Sequence, residues 1–313
     1  MTSTPRGSVD TVDRRGAAAG LGAYVLWGLL TAYWKLLKQF SAFELIGYRV
    51  VLSLAFLAAL MARGGRLRRL VTVIREHNLW RTVALAAVVL SINWTSYVIV
   101  VHEGHVIEAA LGYFIAPLGT MFLGVRVLGE RLRPVQRLTV VLGAASVIVL
   151  TFSYGRVPVY ALLLAASWST YGYLKRGIPL SPPESLTAET MVMVVPAIAL
   201  IVFHLGQRSS VPRTAGIVDW IAILCVGVIT AVPLMMFAYA AQRVPMTVIG
   251  PMQYSVPVIN FLLGWLVFDE DLSTSRFIGF ALVWVALVIL SVDTIRRARS
   301  ATDRKSTRLN SSH

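Results

Sequence analysis

Ten apolar segments follow one another along this chain, separated by short polar junctions. A helix needs about 20 mostly apolar residues to cross the hydrocarbon core of a bilayer. Soluble domains carry about 25% charged residues, whereas this sequence carries 14%. The pattern therefore predicts an integral membrane protein and excludes a soluble globular fold. We predict spans over residues 17–36, 42–62, 80–101, 106–126, 135–153, 157–174, 186–205, 217–240, 246–268 and 275–293.

Lys and Arg are unevenly distributed among the junctions between these spans. They are concentrated in the N-terminal segment, between spans two and three, between spans four and five, and after span ten. Such residues are retained on the cytoplasmic side of a membrane, so both termini are predicted to be cytoplasmic. The same bias accounts for the net charge of +14. We therefore predict no nucleic-acid partner.

The two halves of the chain resemble each other. An offset of 140 residues aligns Pro117 with Pro257, and an offset of 141 aligns Trp27 with Trp168. Because each half contains five spans, an odd number, the second half enters the membrane from the opposite side. The sequence thus predicts an all-α integral membrane fold of ten transmembrane helices in two inverted five-helix repeats. Inverted repeats are typical of secondary transporters, which hold their substrate between the halves.

The spans divide the chain into two repeats and three flanking segments. The first repeat covers residues 17–153 and the second covers residues 157–293. Residues 1–16 form a cytoplasmic N-terminal segment, and residues 294–302 form a basic cytoplasmic end. Residues 303–313 are polar and follow that basic end. We interpret them as a cloning or assembly scar rather than as part of the native protein.

Three of the charged residues within the predicted spans are candidates for function, namely Arg49, Glu108 and Glu189. A charge inside a membrane is costly and usually marks a functional site, so we assign all three to a substrate cavity or a gate. The offset of 140 aligns Arg49 with Glu189, which suggests a pair between opposite charges. The alternative is that Arg49 extends its side chain to the lipid headgroups, or forms an ion pair of purely structural value.

Polar and aromatic residues inside the spans provide further candidates for the cavity. These candidates are Asn93, Trp94, Tyr113, Gln253 and Tyr254. Pro117 and Pro257 lie close to them, and proline removes a backbone donor, so we predict helix kinks at both positions. The alternative for the aromatic residues is anchoring at the membrane surface, which suits Trp80 better than Trp94.

No motif in the sequence indicates catalysis, a metal or a cofactor. His102 and His105 are three residues apart, whereas the zinc-binding helix motif places two histidines four residues apart. No phosphate-binding loop and no nucleophile–base set stands out. We therefore predict no metal site, no cofactor and no enzymatic activity. An integral membrane transferase remains a weaker alternative, because residues 269–271 form a short acidic run.

A set of motifs within residues 17–300 points to a known family. The set comprises Asn93-Trp94, the stretch from Glu108 to Leu118, Gly129-Glu130, the stretch from Thr230 to Leu234, and Gln253-Tyr254 with Pro257. In this combination the sequence resembles the RarD-type members of the EamA family, in the drug/metabolite transporter superfamily. One departure is Tyr48, because relatives often carry His before the arginine that corresponds to Arg49.

The resemblance implies a multi-pass protein of the bacterial inner membrane, with ten helices in two inverted EamA-like repeats and both termini cytoplasmic. It implies a secondary transporter, and we expect export of small metabolites or drugs by alternating access. The expected partners are a small-molecule substrate and the lipid bilayer, with the proton as candidate coupling ion and a homodimer as candidate assembly. A channel is the main alternative, but its pore would need a lining of uniform charge or polarity.

The charge distribution makes a testable prediction about topology. A reporter that is active only in the cytoplasm should function when it is fused after Arg299 or near Gly65, because both positions lie beside clusters of positive charge. The same reporter should fail near Gly104. Activity at Gly104, measured at equal expression, would reverse the predicted orientation.

Overall fold

The computed structural model describes residues 13–62, 66–102, 106–154 and 157–267, together with positions 278, 281, 284, 285 and 289. Within these ranges the chain is helical apart from its turns and short connections. The helices are α1 (Arg14–Leu36), α2 (Ala42–Ala62), α3 (Arg66–Glu76), α4 (Trp80–His102), α5 (Val106–Arg126), α6 (Pro134–Tyr154), α7 (Val159–Gly177), α8 (Pro182–Leu205), α9 (Val211–Thr214), α10 (Ile217–Ala241), α11 (Met246–Met252) and α12 (Ser255–Leu266).

The all-helical prediction is confirmed for the described ranges. Predicted spans one to eight each coincide with one helix, and five helices, namely α1, α2, α4, α8 and α10, contain segments long and apolar enough to cross a membrane. Helix α8, which corresponds to predicted span seven, begins at Pro182 rather than at 186. Ser181 and Glu184 form a capping box there, with proline in the first turn. Predicted span ten lies almost entirely outside the described residues.

Helix α3 was predicted as part of a loop, and the structure corrects this. Its arginines obscured an apolar repeat in which Leu67, Leu70, Val71 and Ile74 recur at helical spacing. Leu70 is buried in the core, whereas Leu67 and Val71 are exposed beside the arginines. A short helix with a basic face and exposed apolar residues is typical of a helix that lies in the membrane surface.

Close contacts between glycines and backbone bring several helices together. Helix α2 packs against α8 and α10, α1 packs against α10 and α12, and α5 packs against α7 and α11. A Cβ atom on Gly47 of α2 would lie 2.8 Å from the carbonyl oxygen of Ala197 in α8. A Cβ atom on Gly250 of α11 would lie 2.9 Å from the carbonyl oxygen of Pro117 in α5. Small residues at these positions allow the backbones to approach, as in other membrane bundles.

Two carboxylates fix connections between helices. The Glu130 side chain accepts hydrogen bonds from the backbone N–H groups of Met246 and Thr247, at 3.0 and 2.8 Å, in the first turn of α11. The Glu44 side chain, fully buried at the start of α2, accepts from the N–H of Val211 at 3.0 Å. Each carboxylate satisfies backbone donors that a helix start leaves without an intrahelical partner.

Predicted span nine is broken into α11 and α12 at Gln253 and Tyr254. Pro257 has no N–H to donate to the Gln253 carbonyl, which instead accepts from the N–H of Val256 at 3.1 Å. The prediction placed a kink at Pro257, and the structure has a break three to four residues before it. Pro117, the counterpart of Pro257 in the first half, lies inside α5, which continues as one helix.

The contact between α2 and α10 can be tested at Gly227. A Cβ atom there would collide with the carbonyl group of Leu52 and would lie 2.9 Å from the backbone nitrogen of Ser53. We expect Gly227→Ala to lower the unfolding temperature of the purified protein in detergent, since overpacking costs about 1–3 kcal/mol. Gly206→Ala is the matched control, because a Cβ atom there has no neighbour within 4 Å. Equal unfolding temperatures for the two variants would contradict this packing.

Candidate functional site

A cavity of about 170 Å³ lies among α1, α2, α4, α5, α7 and the break between α11 and α12. Its wall is rich in aromatic side chains, which come from α1, α4, α5 and α7: Tyr24, Trp27, Trp34, Trp94, Tyr97, Tyr113 and Trp168. Of the eight residues predicted from the sequence to form the cavity or gate, five line it: Arg49, Asn93, Trp94, Tyr113 and Gln253. Both halves of the chain therefore contribute to one cavity.

Arg49 is the one charged residue among the described residues that line the cavity. Its Nε atom donates a hydrogen bond to Thr230 Oγ1 at 3.0 Å, which links α2 to α10. Its guanidinium carbon lies 3.9 Å from the centre of the Trp94 ring and 5.6 Å from that of Trp34. An arginine in the middle of a membrane helix costs about 2.5–3.5 kcal/mol on insertion scales. The aromatic faces offset part of that cost through cation–π attraction.

The charge of Arg49 has no acidic partner among the described residues. The pair with Glu189 that the sequence offset suggested is not formed in this structure. Arg49 is half-buried, and its position on the cavity wall differs from the surface position expected of a side chain that extends to the headgroups.

Two amide side chains hold the polar part of the cavity wall in place. The Nδ2 atom of Asn93 donates to the carbonyl oxygen of Leu164 and to Ser167 Oγ, both at 3.0 Å. The Nε2 atom of Gln253 donates to Thr120 Oγ1 at 2.7 Å. Because Asn93 lies on α4 and Gln253 lies at the break after α11, these bonds tie both residues across helix boundaries and fix their orientation.

Aromatic contacts connect the two halves behind the cavity. Trp27 and Trp168, which the 141-residue offset aligns, meet edge to face with ring centres 5.0 Å apart. Phe237 contacts both rings, at 5.8 and 4.9 Å. Tyr97 and Tyr113 form a further edge-to-face pair at 6.1 Å, and both side chains are 39% exposed. The exposed rings can therefore contact a bound molecule.

Glu189 does not line the cavity but forms a fully buried ion pair behind it. Its carboxylate lies 2.6 Å from Lys175 Nζ and also accepts hydrogen bonds from Tyr171 and Ser185, at 2.9 Å each. All four side chains are completely buried. The Tyr171 ring lies 5.7 Å from that of Trp168, so one aromatic residue separates this charge network from the cavity.

The remaining two predicted residues lie elsewhere. Tyr254 is fully buried and packs against Phe114. Its hydroxyl group has no hydrogen-bond partner among the described residues. Glu108 lies in the first turn of α5, but its side chain is outside the part of the chain that the structure describes.

Several cavity residues were not predicted from the sequence. Trp34 and Tyr97 carried no signal beyond their aromatic character within a span. Trp27 and Trp168 could have been found, because the internal repeat aligned them. Thr230 belongs to one of the family-like motifs, but its role in holding Arg49 depends on a contact between distant segments.

The chain is similar to known membrane transporters. The sequence profile of the EamA-like transporter family matches residues 14–152 and again residues 156–292. The chain is 43% identical to Protein RarD of Streptomyces exfoliatus, with 94% of each chain covered. It is 33% identical to Protein RarD of Escherichia coli (91% of this chain, 97% of the relative) and 32% identical to the uncharacterized transporter YojE of Bacillus subtilis (92% and 97%).

A solved crystal structure shares the fold. It aligns with a TM-score of 0.67 over 88% of this chain and 97% of that chain, at 20% sequence identity. The family profile and the relatives confirm the resemblance that the motifs indicated. The chain therefore belongs to the EamA-like transporter family, and it is a multi-pass membrane transporter of the RarD type.

Proposed function

We propose that this protein is a secondary transporter that exports small metabolites or drugs across the bacterial inner membrane by alternating access. The observation that carries the proposal is the aromatic cavity, because it is lined by both halves of the chain and contains the Arg49 guanidinium, which has no acidic partner among the described residues. A substrate held between two halves can be exposed to either side of the membrane when the halves move relative to each other.

The contacts between helices support the ten-helix arrangement with two inverted repeats. In such an arrangement α7 is the equivalent of α1, α8 of α2, α10 of α4, and α11 with α12 of α5. When each helix is replaced by its equivalent, the contact between α1 and α10 becomes the contact between α7 and α4. In the same way, the contact between α5 and α7 becomes the contact of α11 and α12 with α1. The contacts of α2 with α8 and of α5 with α11 convert into themselves. All of these contacts occur, as expected of a pseudo-two-fold axis.

The two matches to the family profile, one in each half, also support this arrangement. We further propose that both termini are cytoplasmic, as the distribution of Lys and Arg indicates. The protein is proposed to act as a carrier and not as an enzyme.

The proton is the candidate coupling ion, and Glu189 is the candidate proton-binding group. It is an acidic group in the second half, fully buried, and separated from the cavity by the Tyr171 and Trp168 rings. Release of Lys175 from Glu189 would leave a buried charge uncompensated, so protonation and rearrangement of this pair would occur together.

The proposed function is tested by transport in proteoliposomes. Vesicles containing the purified protein are loaded with a bacterial metabolite extract. Mass spectrometry identifies the solutes that leave these vesicles faster than they leave protein-free vesicles loaded with the same extract. Trp94→Ala should reduce this flux by about tenfold or more per folded molecule, because it removes the aromatic face beneath Arg49.

Trp80→Ala provides the matched control. Like Trp94, Trp80 lies on α4 and has an arginine over its ring, because the guanidinium carbon of Arg81 lies 5.0 Å from the ring centre. Trp80 is the first residue of α4, however, and it is 56% exposed and far along the helix from the cavity. We expect wild-type flux for this variant. Equal losses of flux in both variants would show that the aromatic cavity is not part of the transport path. The absence of any protein-dependent flux would contradict the proposed function itself.

A further inference from the structure

We propose that the substrate is a small organic anion, whose negative group binds Arg49 and whose flat apolar part contacts the aromatic wall. This inference rests on the proposed function and names the chemical class of molecule that the cavity accepts. It depends on three observations. Arg49 has no acidic partner in the part of the chain that the structure describes, the aligned position in the second half has a counter-charge, and the cavity has room for a small molecule.

The first observation concerns the hydrogen-bond donors of Arg49. A guanidinium group has five N–H donors, and one of them, on Nε, is used by Thr230. The four donors on the two terminal nitrogens have no partner among the described residues. They lie in a fixed fork that fits a carboxylate, sulfonate or phosphate group with two parallel hydrogen bonds. Thr230 and the Trp94 ring hold the guanidinium in place for such a group.

The second observation compares Arg49 with the equivalent position of the second half. The offset of 140 aligns Arg49 with Glu189, whose charge is neutralised by Lys175 at 2.6 Å. The offset of 141, which applies to the first helix of each half, aligns Lys175 with Trp34. The second half therefore supplies a counter-charge of its own, whereas the first half places an aromatic ring 5.6 Å from Arg49. A bound anion would supply the missing charge.

The third observation is the size and shape of the cavity. Its volume of about 170 Å³ exceeds the roughly 150 Å³ of an engineered cavity that binds benzene, and is well below the roughly 300–1,000 Å³ of sites for drug-sized ligands. It therefore suits one ring with a short charged substituent. The exposed rings of Tyr97 and Tyr113 offer flat contact surfaces to such a ring.

An anionic substrate has a consequence for the energetics of export. The bacterial interior is electrically negative, so the outward movement of one negative charge is favoured by the membrane potential. The gain corresponds to about 50-fold in the equilibrium concentration ratio for each 100 mV. Export of an anion can therefore proceed against a concentration gradient without a coupling ion.

The experiment uses matched aromatic probes that differ in charge. Benzenesulfonate is a permanent anion, benzenesulfonamide is its uncharged analogue, and phenyltrimethylammonium is a permanent cation. Benzoate and benzamide form a second pair with the same single ring and a carboxylate in place of the sulfonate. Binding to the purified protein in detergent is measured by the shift in unfolding temperature and by titration of tryptophan fluorescence. We expect each anion to bind about tenfold or more tightly than its amide, because the charge adds hydrogen bonds to the guanidinium.

Variants of Arg49 show whether the preference comes from this residue. Arg49→Leu should fold at least as well as the wild type, because a costly charge within a membrane helix is removed, and should bind anion and amide equally. Arg49→Lys should retain only part of the preference, since a lysine lacks the fork. Arg81→Leu is the matched control, because Arg81 also lies over a tryptophan ring but at the exposed end of α4. It should behave as the wild type.

A transport measurement completes the test. Proteoliposomes loaded with benzenesulfonate should release it faster when a potassium diffusion potential makes their interior negative, and Arg49→Leu should abolish this release. Tighter binding of the amides or of the cation by the wild type, or an unchanged anion preference in Arg49→Leu, would overturn the anion inference while leaving the transporter intact. Failure of every probe to bind or move would count against the cavity as the substrate site, and thus against the proposed function.

Discussion

The inability of lipid to form hydrogen bonds is the constraint on which this structure depends. Every backbone group near the membrane interior must find its partner within the protein, and the connections between helices are where this is hardest. Here side chains that are distant in the sequence supply the partners. Glu130 accepts from the start of α11, Glu44 accepts from Val211, and Gln242 donates to the carbonyl oxygens of Ile178 and Leu180. These bonds fix the helix ends and so fix the walls of the cavity between the helices.

Charges in the bundle are handled in two different ways. Lys175 and Glu189 neutralise each other in a site without solvent, and two hydroxyl groups satisfy the remaining hydrogen bonds. Arg49 instead has a threonine and two aromatic rings, which stabilise its charge but do not cancel it. The two solutions occupy positions that the internal repeat aligns. In the proposed two-repeat arrangement, the position in the second half would carry its own counter-charge, and the position in the first half would accept a ligand.

The sequence predicted the features that depend on local patterns. Spans one to eight were found because about 20 consecutive apolar residues have few other interpretations, and five of the cavity residues were found because polar groups in such runs are unusual. Helix α3 was missed because its arginines dominated its composition. The partner of Glu189 was missed because Lys175 lies one residue beyond the predicted end of span six. The contacts of Thr230 and Trp34 with Arg49 depend on which helices pack together. No single segment of the sequence contains that information.

The break at Gln253 and Tyr254 divides span nine between two neighbours. On one side, α11 is bonded to the α5–α6 region through Glu130 and through Gln136, whose side chain donates to the Thr247 carbonyl at 3.0 Å. On the other side, Asn260 of α12 accepts a hydrogen bond from Thr31 of α1 at 2.8 Å. A displacement of α1 relative to α5 would therefore be concentrated at two residues. Their backbone bonds already join residues three apart, so the joint can bend without first breaking a turn of α-helix in an apolar medium.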